Sequence, residues 1–280
     1  MHKSRRVLNR LRRNRVNVAK MFARPEDLPF DLDAANENAA RLDIAEHIQP
    51  DPVDPLPSPG VREPTVRGAR TARGNSIYDN HVVHHESELE HRGSKRMQAR
   101  RDVVNLVSQP YKIRFVDQRG EYAHHIVDFH VDFDDGLRVA VAMKPEAKAK
   151  KLAELLERVV NTGQVVRKDG SHGELSEAFD TVTIITEEWA SLDEDHNARF
   201  ILWALKKPKA QACPIVRERA LHLRSAKVRY IDLIAGLPDD GPRRIAFWLL
   251  VYAGVLVPEE PGRIDDLTWM VVNCDAATPE

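Results

Sequence analysis

Cysteine is almost missing from this chain: 280 residues contain two, Cys213 and Cys274, far apart. They cannot build a disulfide framework or a cysteine-rich zinc site, so a reducing, cytoplasmic compartment is expected. Long apolar runs are missing too. The longest, Ile245–Val257, has 13 residues, short of the ~20 that cross a bilayer, and reads as a buried helix. The charged N-terminus has no apolar stretch behind it, which argues against a secretory signal. Aromatics reach only 6%, against 42% apolar and 30% charged residues, so a core can form while many positions stay wet.

A large net charge is absent as well. The formal sum is −1, which by itself argues against a nucleic-acid partner. The average hides a split. Residues 1–25 carry nine Lys/Arg and no acid, leaving 33 basic against 43 acidic groups in the rest. A basic arm on an acidic body suits local contact with phosphate. Residues 26–64 then turn acidic, and six prolines fall between Pro50 and Pro64. Proline at that density withholds amide donors and keeps the chain extended. Residues 1–75 are therefore expected to be arm and linker, largely disordered apart from a short helix near Ala34–Ile48.

The length suits two domains, expected over 76–190 and 191–280. In the first, a polar helical stretch from Glu86 to about Arg101 precedes strand-like runs at Val103–Val107, Tyr111–Val116, His125–Phe133 and Leu137–Met143. A helix beginning near Pro145 and a strand over Thr181–Thr186 complete an α/β unit. In the second, helices are expected over His196–Leu205, Val216–Leu223, Val228–Leu233 and Pro242–Ala253, followed by a hairpin from Val255–Val257 and Leu267–Val272. Helices followed by a hairpin is the order of a winged helix-turn-helix.

One hairpin fixes its own register. Val127, Phe129, Val131 and Phe133 share a face of one strand, and Leu137, Val139, Val141 and Met143 share a face of the next. Burying both sets together requires partner numbers with an even sum, and the simplest choice turns at Asp135. Asp128 then lies opposite Ala142, with Lys144 diagonal on the same polar face. A carboxylate and a lysine on one hairpin face, joined by a carboxylate from a preceding helix, is a layout for metal-dependent phosphodiester hydrolysis. A solvated Asp and Lys on the wet side of a sheet is the plainer reading of the same spacing.

Four blocks in order over residues 86–145 resemble the TnsA family of transposon-end endonucleases, which has the PD-(D/E)xK nuclease fold. Glu86-Ser87-Glu88-Leu89-Glu90 resembles that family's E-S-x-L-E helix start, and Val103 to Pro110 resembles its V-V-x-F-x-x-Q-P strand. Val127-Asp128-Phe129 resembles P-D-F, and Val141-Ala142-Met143-Lys144-Pro145 resembles V-(E/Q)-V-K-P. The resemblance implies a restriction-endonuclease-like mixed sheet flanked by helices, with a winged-helix-like C-terminal domain. It also implies a DNA endonuclease or nickase working with a transposase or other recombination partner. Glu90, Asp128 and Lys144 would be catalytic, with Glu90 and Asp128 holding Mg2+ or Mn2+ and Glu86 as a substitute one helical turn away.

Ala142 stands where the family carries Glu or Gln, and its side chain is expected to face Asp128 and Lys144. That departure keeps open a second class, a degenerate nuclease domain serving as a DNA-binding or assembly subunit. A third chemistry comes from histidine. Seven of twelve lie between His81 and His130 and, with Asp128, offer ligands for a transition metal, though their spacing matches no zinc pattern.

For DNA contact the candidates are the arm and Lys206–Arg229, where Lys206, Lys207, Arg217, Arg224, Lys227 and Arg229 stand among eight Lys/Arg opposed only by Glu218. A solvated helix face explains such a run equally well. The apolar helix around Ile245–Tyr252 reads as core rather than as a reader of bases. If the nine arm charges contact phosphate, deleting residues 1–25 should weaken DNA affinity and flatten its dependence on salt, because fewer counterions are released. Anisotropy titrations across a salt series measure that slope, and an unchanged slope removes the arm from DNA binding.

Overall fold

Alternation along two strands sets the centre of the molecule, as the computed structural model shows for residues 54–62, 73–167, 169–207, 212–223, 227–237 and 240–273. The basic arm, the helix expected near Ala34–Ile48, Lys209, Arg224 and Cys274 lie outside the described residues. The elements run β1 (Gly74–Tyr78), β2 (His81–His85), α1 (Glu88–Gln98), β3 (Val103–Ser108), β4 (Lys112–Val116), β5 (Tyr122–Ile126), β6 (Phe129–Phe133) and β7 (Arg138–Met143). Next come α2 (Glu146–Thr162), β8 (Gln164–Val166), β9 (His172–Gly173), β10 (Thr181–Ile185), α3 (Leu192–Leu205) and α4 (Pro214–His222). The chain closes with β11 (Lys227–Arg229), α5 (Tyr230–Ile234), α6 (Asp240–Tyr252), β12 (Leu256–Pro258) and β13 (Trp269–Val272).

The central sheet has the order β10-β7-β6-β3. β3, β6 and β7 are successively antiparallel, and β10 runs parallel to β7. Phe129 pairs with Val141, His130 with Ala140 and Val131 with Val139, the register that burial of both apolar rows demands. Phe129, Val131, Val139, Val141 and Met143 pack on one face with Leu89 and Met97 of α1. Ala140 and Ala142 face the other way, towards Val159 and towards Leu152 and Leu156 of α2. The result is a mixed α/β sheet with a helix on each face.

The run expected as one strand over His125–Phe133 is two strands in different sheets. Val127 is buried with Ile113 and Phe115, whereas Phe129 is buried on the α1 side. Residues two apart in an unbroken strand share a face, so the chain must break between them. At the break the Asp128 N–H bonds to the Val141 carbonyl. β5 joins a second sheet of order β5-β4-β8-β9.

Two further departures come from turn and pairing chemistry. β1 and β2 form a hairpin through Asp79 and Asn80, both at positive φ (45° and 60°), the two-residue geometry that matches strand twist. Val228–Leu233, expected as helix, splits into β11, which pairs with β13, and the short α5. Within the stretch expected as linker, the Leu56 N–H bonds to Asn80 O and the Val82 N–H to Leu56 O.

In the C-terminal part, β11-β13-β12 form an antiparallel sheet beside α4, α5 and α6. α6 is core, as its composition suggests: Phe247 and Trp248 are buried, and Tyr230 stacks on Phe247 with ring centroids 3.7 Å apart. Arg243 donates to the carbonyls of Ile234 and Leu237, and Arg244 to Tyr230 Oη and Asp266.

α1 has almost no apolar stripe, yet it packs. Its inward face is Leu89, Glu90, Gly93, Ser94, Met97 and Gln98. Gly93 lets the Met143 side chain pack directly on the helix backbone, since a Cβ there would lie 2.1 Å from the Met143 methyl and displace it. Charge supplies the rest: Lys95 Nζ lies 3.5 Å from Asp195 of α3, and Arg96 lies 3.4 Å from Glu194 and 4.3 Å from the Trp189 ring centroid. Asp195 is only 5% exposed and also binds Arg199 at 2.7 Å. Asp195→Ala would strip Lys95 of its buried counter-charge, and we expect a loss of about 3 kcal/mol in unfolding free energy. Urea denaturation measures it; an unchanged midpoint would mean that these pairs do not seat α1.

Candidate functional site

The start of α1 fixes Glu90. Ser87 is the N-cap, and its Oγ accepts from the Glu90 N–H at 3.2 Å while donating to Glu90 Oε1 at 2.8 Å. Glu90 Oε2 accepts from the Glu86 N–H at 2.7 Å. This is a variant of the capping box in which the glutamate reaches the N–H of Glu86, the residue before the N-cap, so capping accounts for the Ser-x-x-Glu spacing. Each Glu90 oxygen accepts one hydrogen bond here and retains capacity for another partner. Glu86 itself pairs with Arg62, a partner for which the sequence holds no signal.

Asp128 stands at the break before β6. Its Oδ2 accepts from the Met143 N–H at 2.6 Å, and its carbonyl accepts from the Gln109 N–H at 2.8 Å. The glutamine of the Val103–Pro110 block thus holds the backbone that carries Asp128. Burial pushes the Asp128 carboxyl up to about 6, and the nearby Glu90 charge pushes the same way. The Met143 N–H and Lys144 oppose that shift, and Glu86 adds to it. Glu90, Asp128, Lys144 and Glu86 are thereby brought within electrostatic reach of one another. Lys144 follows the end of β7 with an exposed side chain, its N–H bonded to the Ile185 carbonyl.

Ala142 does not open onto this group. It is 1% exposed and sealed against Leu152 and Leu156, because β7 alternates and α2 covers the side to which residue 142 belongs. The expectation that it faces Asp128 and Lys144 is corrected accordingly. His125, noted only as one of many histidines, is partly buried near Lys144. Burial and then that charge lower its pKa, and its Nε2 has no hydrogen-bond partner among the described residues.

The other histidines disperse. His85 and His91 stack with centroids 4.2 Å apart, and burial, followed by His91, lowers the His85 pKa to about 4. His130 Nε2 contacts Asp132 at 2.5 Å. Among the described residues no three of His, Cys, Asp and Glu come together to hold a metal, which leaves the transition-metal reading without a cluster. Mg2+ asks for less, since it keeps several waters and takes one or two carboxylates. Asp128 and Glu90 fit that requirement.

Of the cations proposed for DNA contact, Lys206 and Lys207 follow α3 and are exposed, and Lys207 Nζ lies 5.8 Å from the Trp203 ring centroid. Arg217 is exposed on α4. Lys227 pairs with Glu259 and Arg229 with Asp232, and Arg224 lies outside the described residues. Among the described residues no helix is long and apolar enough to cross a membrane. No known family model matches the chain, and neither does any curated protein sequence.

The raised Asp128 pKa makes a signed expectation. Below the unfolded value of 3.8 the group is protonated in both states; as pH rises through about 6 the folded protein loses stability relative to a chain without the shift. Asp128→Asn keeps an acceptor for the Met143 N–H, so it should melt several degrees above the parent at pH 8, on the order of 3 kcal/mol. The gap should close as pH falls towards 4. Thermal melts across that range decide it, and a variant less stable at both ends would contradict the assigned environment.

Proposed function

We propose that this chain is a nuclease-fold protein acting on DNA, with Asp128, Glu90 and Lys144 forming a divalent-metal phosphodiester site. The observation that carries this reading is the convergence of Asp128, Glu90 and Lys144 in partly buried surroundings, where burial first and the Glu90 charge second push the Asp128 pKa up to about 6. Two carboxylates in such a place repel, and a divalent cation relieves them. The central sheet agrees: leaving aside the strands of the second sheet, a helix, three antiparallel strands, a helix and a strand parallel to the third make a mixed sheet flanked by helices, as the TnsA resemblance implies. The C-terminal helices and three-stranded sheet follow the order of a winged helix.

Bound Mg2+ would supply Lewis-acid activation of water and neutralise phosphate charge. The chain's own contribution is positional. The Met143 N–H aims Asp128, and Ser87 with the Glu86 N–H aims Glu90. Lys144, exposed beside them, would offer its ammonium to the charge that develops on a scissile phosphate.

A second reading, a DNA-binding or assembly subunit without catalysis, is favoured by one specific observation: Ala142 is sealed under α2 and supplies no third carboxylate. Supercoiled plasmid incubated with Mg2+ or Mn2+ separates the two. Catalysis requires nicking that Asp128→Ala abolishes and Lys144→Ala slows roughly a hundredfold. Plasmid that is bound in a mobility-shift assay but stays intact establishes the second reading.

A further inference from the structure

Beyond Glu90, the far end of α1 opens on a groove of about 730 Å3 bounded by β1, α1 and the last turns of α3. Its walls present Lys95, Arg100, Arg199 and Lys206 against one carboxylate, Asp79. Asp195 lies behind the wall and is shared by Lys95 and Arg199, while Asp102 occupies one edge of Arg100. The Arg199 and Arg100 side chains nevertheless remain 54% and 41% exposed, so guanidinium donors still face solvent. Lys206 and Lys207 extend the positive charge past the end of α3.

An aromatic face lies among these cations. Trp203 is 36% exposed and lines the groove, as does Tyr78. The indole is held edge-on by Phe200, with centroids 6.5 Å apart, and Phe200 in turn stacks on buried Trp248 at 5.1 Å. A supported ring face flanked by cations matches the chemistry of an unpaired base with its phosphates: the base stacks and the phosphates are neutralised. A duplex keeps its bases stacked on one another and offers this ring nothing to cover.

We propose that the groove binds single-stranded DNA, with a base stacked on Trp203 and the adjacent phosphates on Arg199, Arg100 and Lys206. This rests on the DNA-acting reading only for the choice of DNA as the strand. α1 lines the groove with His91, Lys95 and Gln98 and carries Glu90 in its first turn, so one helix joins the groove to the carboxylate site.

The test is anisotropy with a labelled single-stranded oligonucleotide in chelator-containing buffer, which excludes cleavage. The parent should bind the single strand more tightly than the matching duplex. Trp203→Ala should weaken binding about tenfold while Trp203→Phe retains it, and Lys206→Ala should reduce the salt slope by about 0.7. Equal affinities for Trp203→Ala and the parent overturn the proposal, as does a Trp203-dependent preference for an acidic peptide of equal charge. Plasmid nicking that depends on Asp128 and persists alongside such a failure leaves the nuclease reading standing. Trp203-dependent binding without nicking supports the groove and removes catalysis alone.

Discussion

The seating of α1 on α3 by charge is the constraint on which the rest depends. Asp195 is buried between Lys95 and Arg199, and a carboxylate in that position is tolerable only when both partners are present. Sliding α1 by a turn would take Lys95 away and leave Asp195 with Arg199 of its own helix alone, so the pairing favours one placement although its net stabilisation is modest. From that placement follow the contact of Gly93 with Met143, the position of Glu90 beside Asp128, and the groove lined by His91, Lys95 and Gln98. Apolar packing alone could not have chosen it, because α1 offers only Leu89 and Met97 as large apolar side chains to the core.

The sheet supplies the second half of the site. β7 sends Val139, Val141 and Met143 towards α1 and Ala140 and Ala142 towards α2, so its large side chains face one helix and its small ones the other. Asp128 escapes this alternation because it lies where the strand is broken, tied by one N–H at Met143 and by the Gln109 N–H at its own carbonyl. A residue at such a break is not obliged to bury against either helix. Its carboxylate can be partly desolvated and still meet Glu90 and Lys144.

What the sequence disclosed follows from where the physics is local or periodic. The β6–β7 register was legible because two apolar rows of period two had to coincide, and α2 because its apolar residues recur at helical spacing. The break at Val127–Asp128 was not, since it is dictated by which core each of Val127 and Phe129 joins, a tertiary matter. The Asp79-Asn80 turn was readable in principle from its residue types. Ala142 was expected on a polar face, but α2 covers that side of β7, a docking that leaves no mark in the alternation of the strand itself. The packing of α1 was invisible because ion pairs to residues a hundred positions away leave no periodic trace.

α1 also sorts charge along its length, with Glu88 and Glu90 in the first turn and Lys95 and Arg96 in the last. Every isolated helix favours that order, since acids suit its N-terminal partial charge and bases its C-terminal one. The pattern by itself therefore says nothing about ligands. What distinguishes this helix is the company at each end. At the N-terminal end Asp128 comes from the sheet, gains nothing from capping, and still stands against Glu90 at the cost of a raised pKa. At the other end Arg199, Arg100 and Lys206 come from outside the helix and add cations where α1 already has its own, and Asp195 and Asp102 offset them only in part. Charges that accumulate against their own kind, from separate elements, have no folding rationale in the helix dipole. The proposed metal ion at the first end and the proposed phosphates at the second would relieve that accumulation.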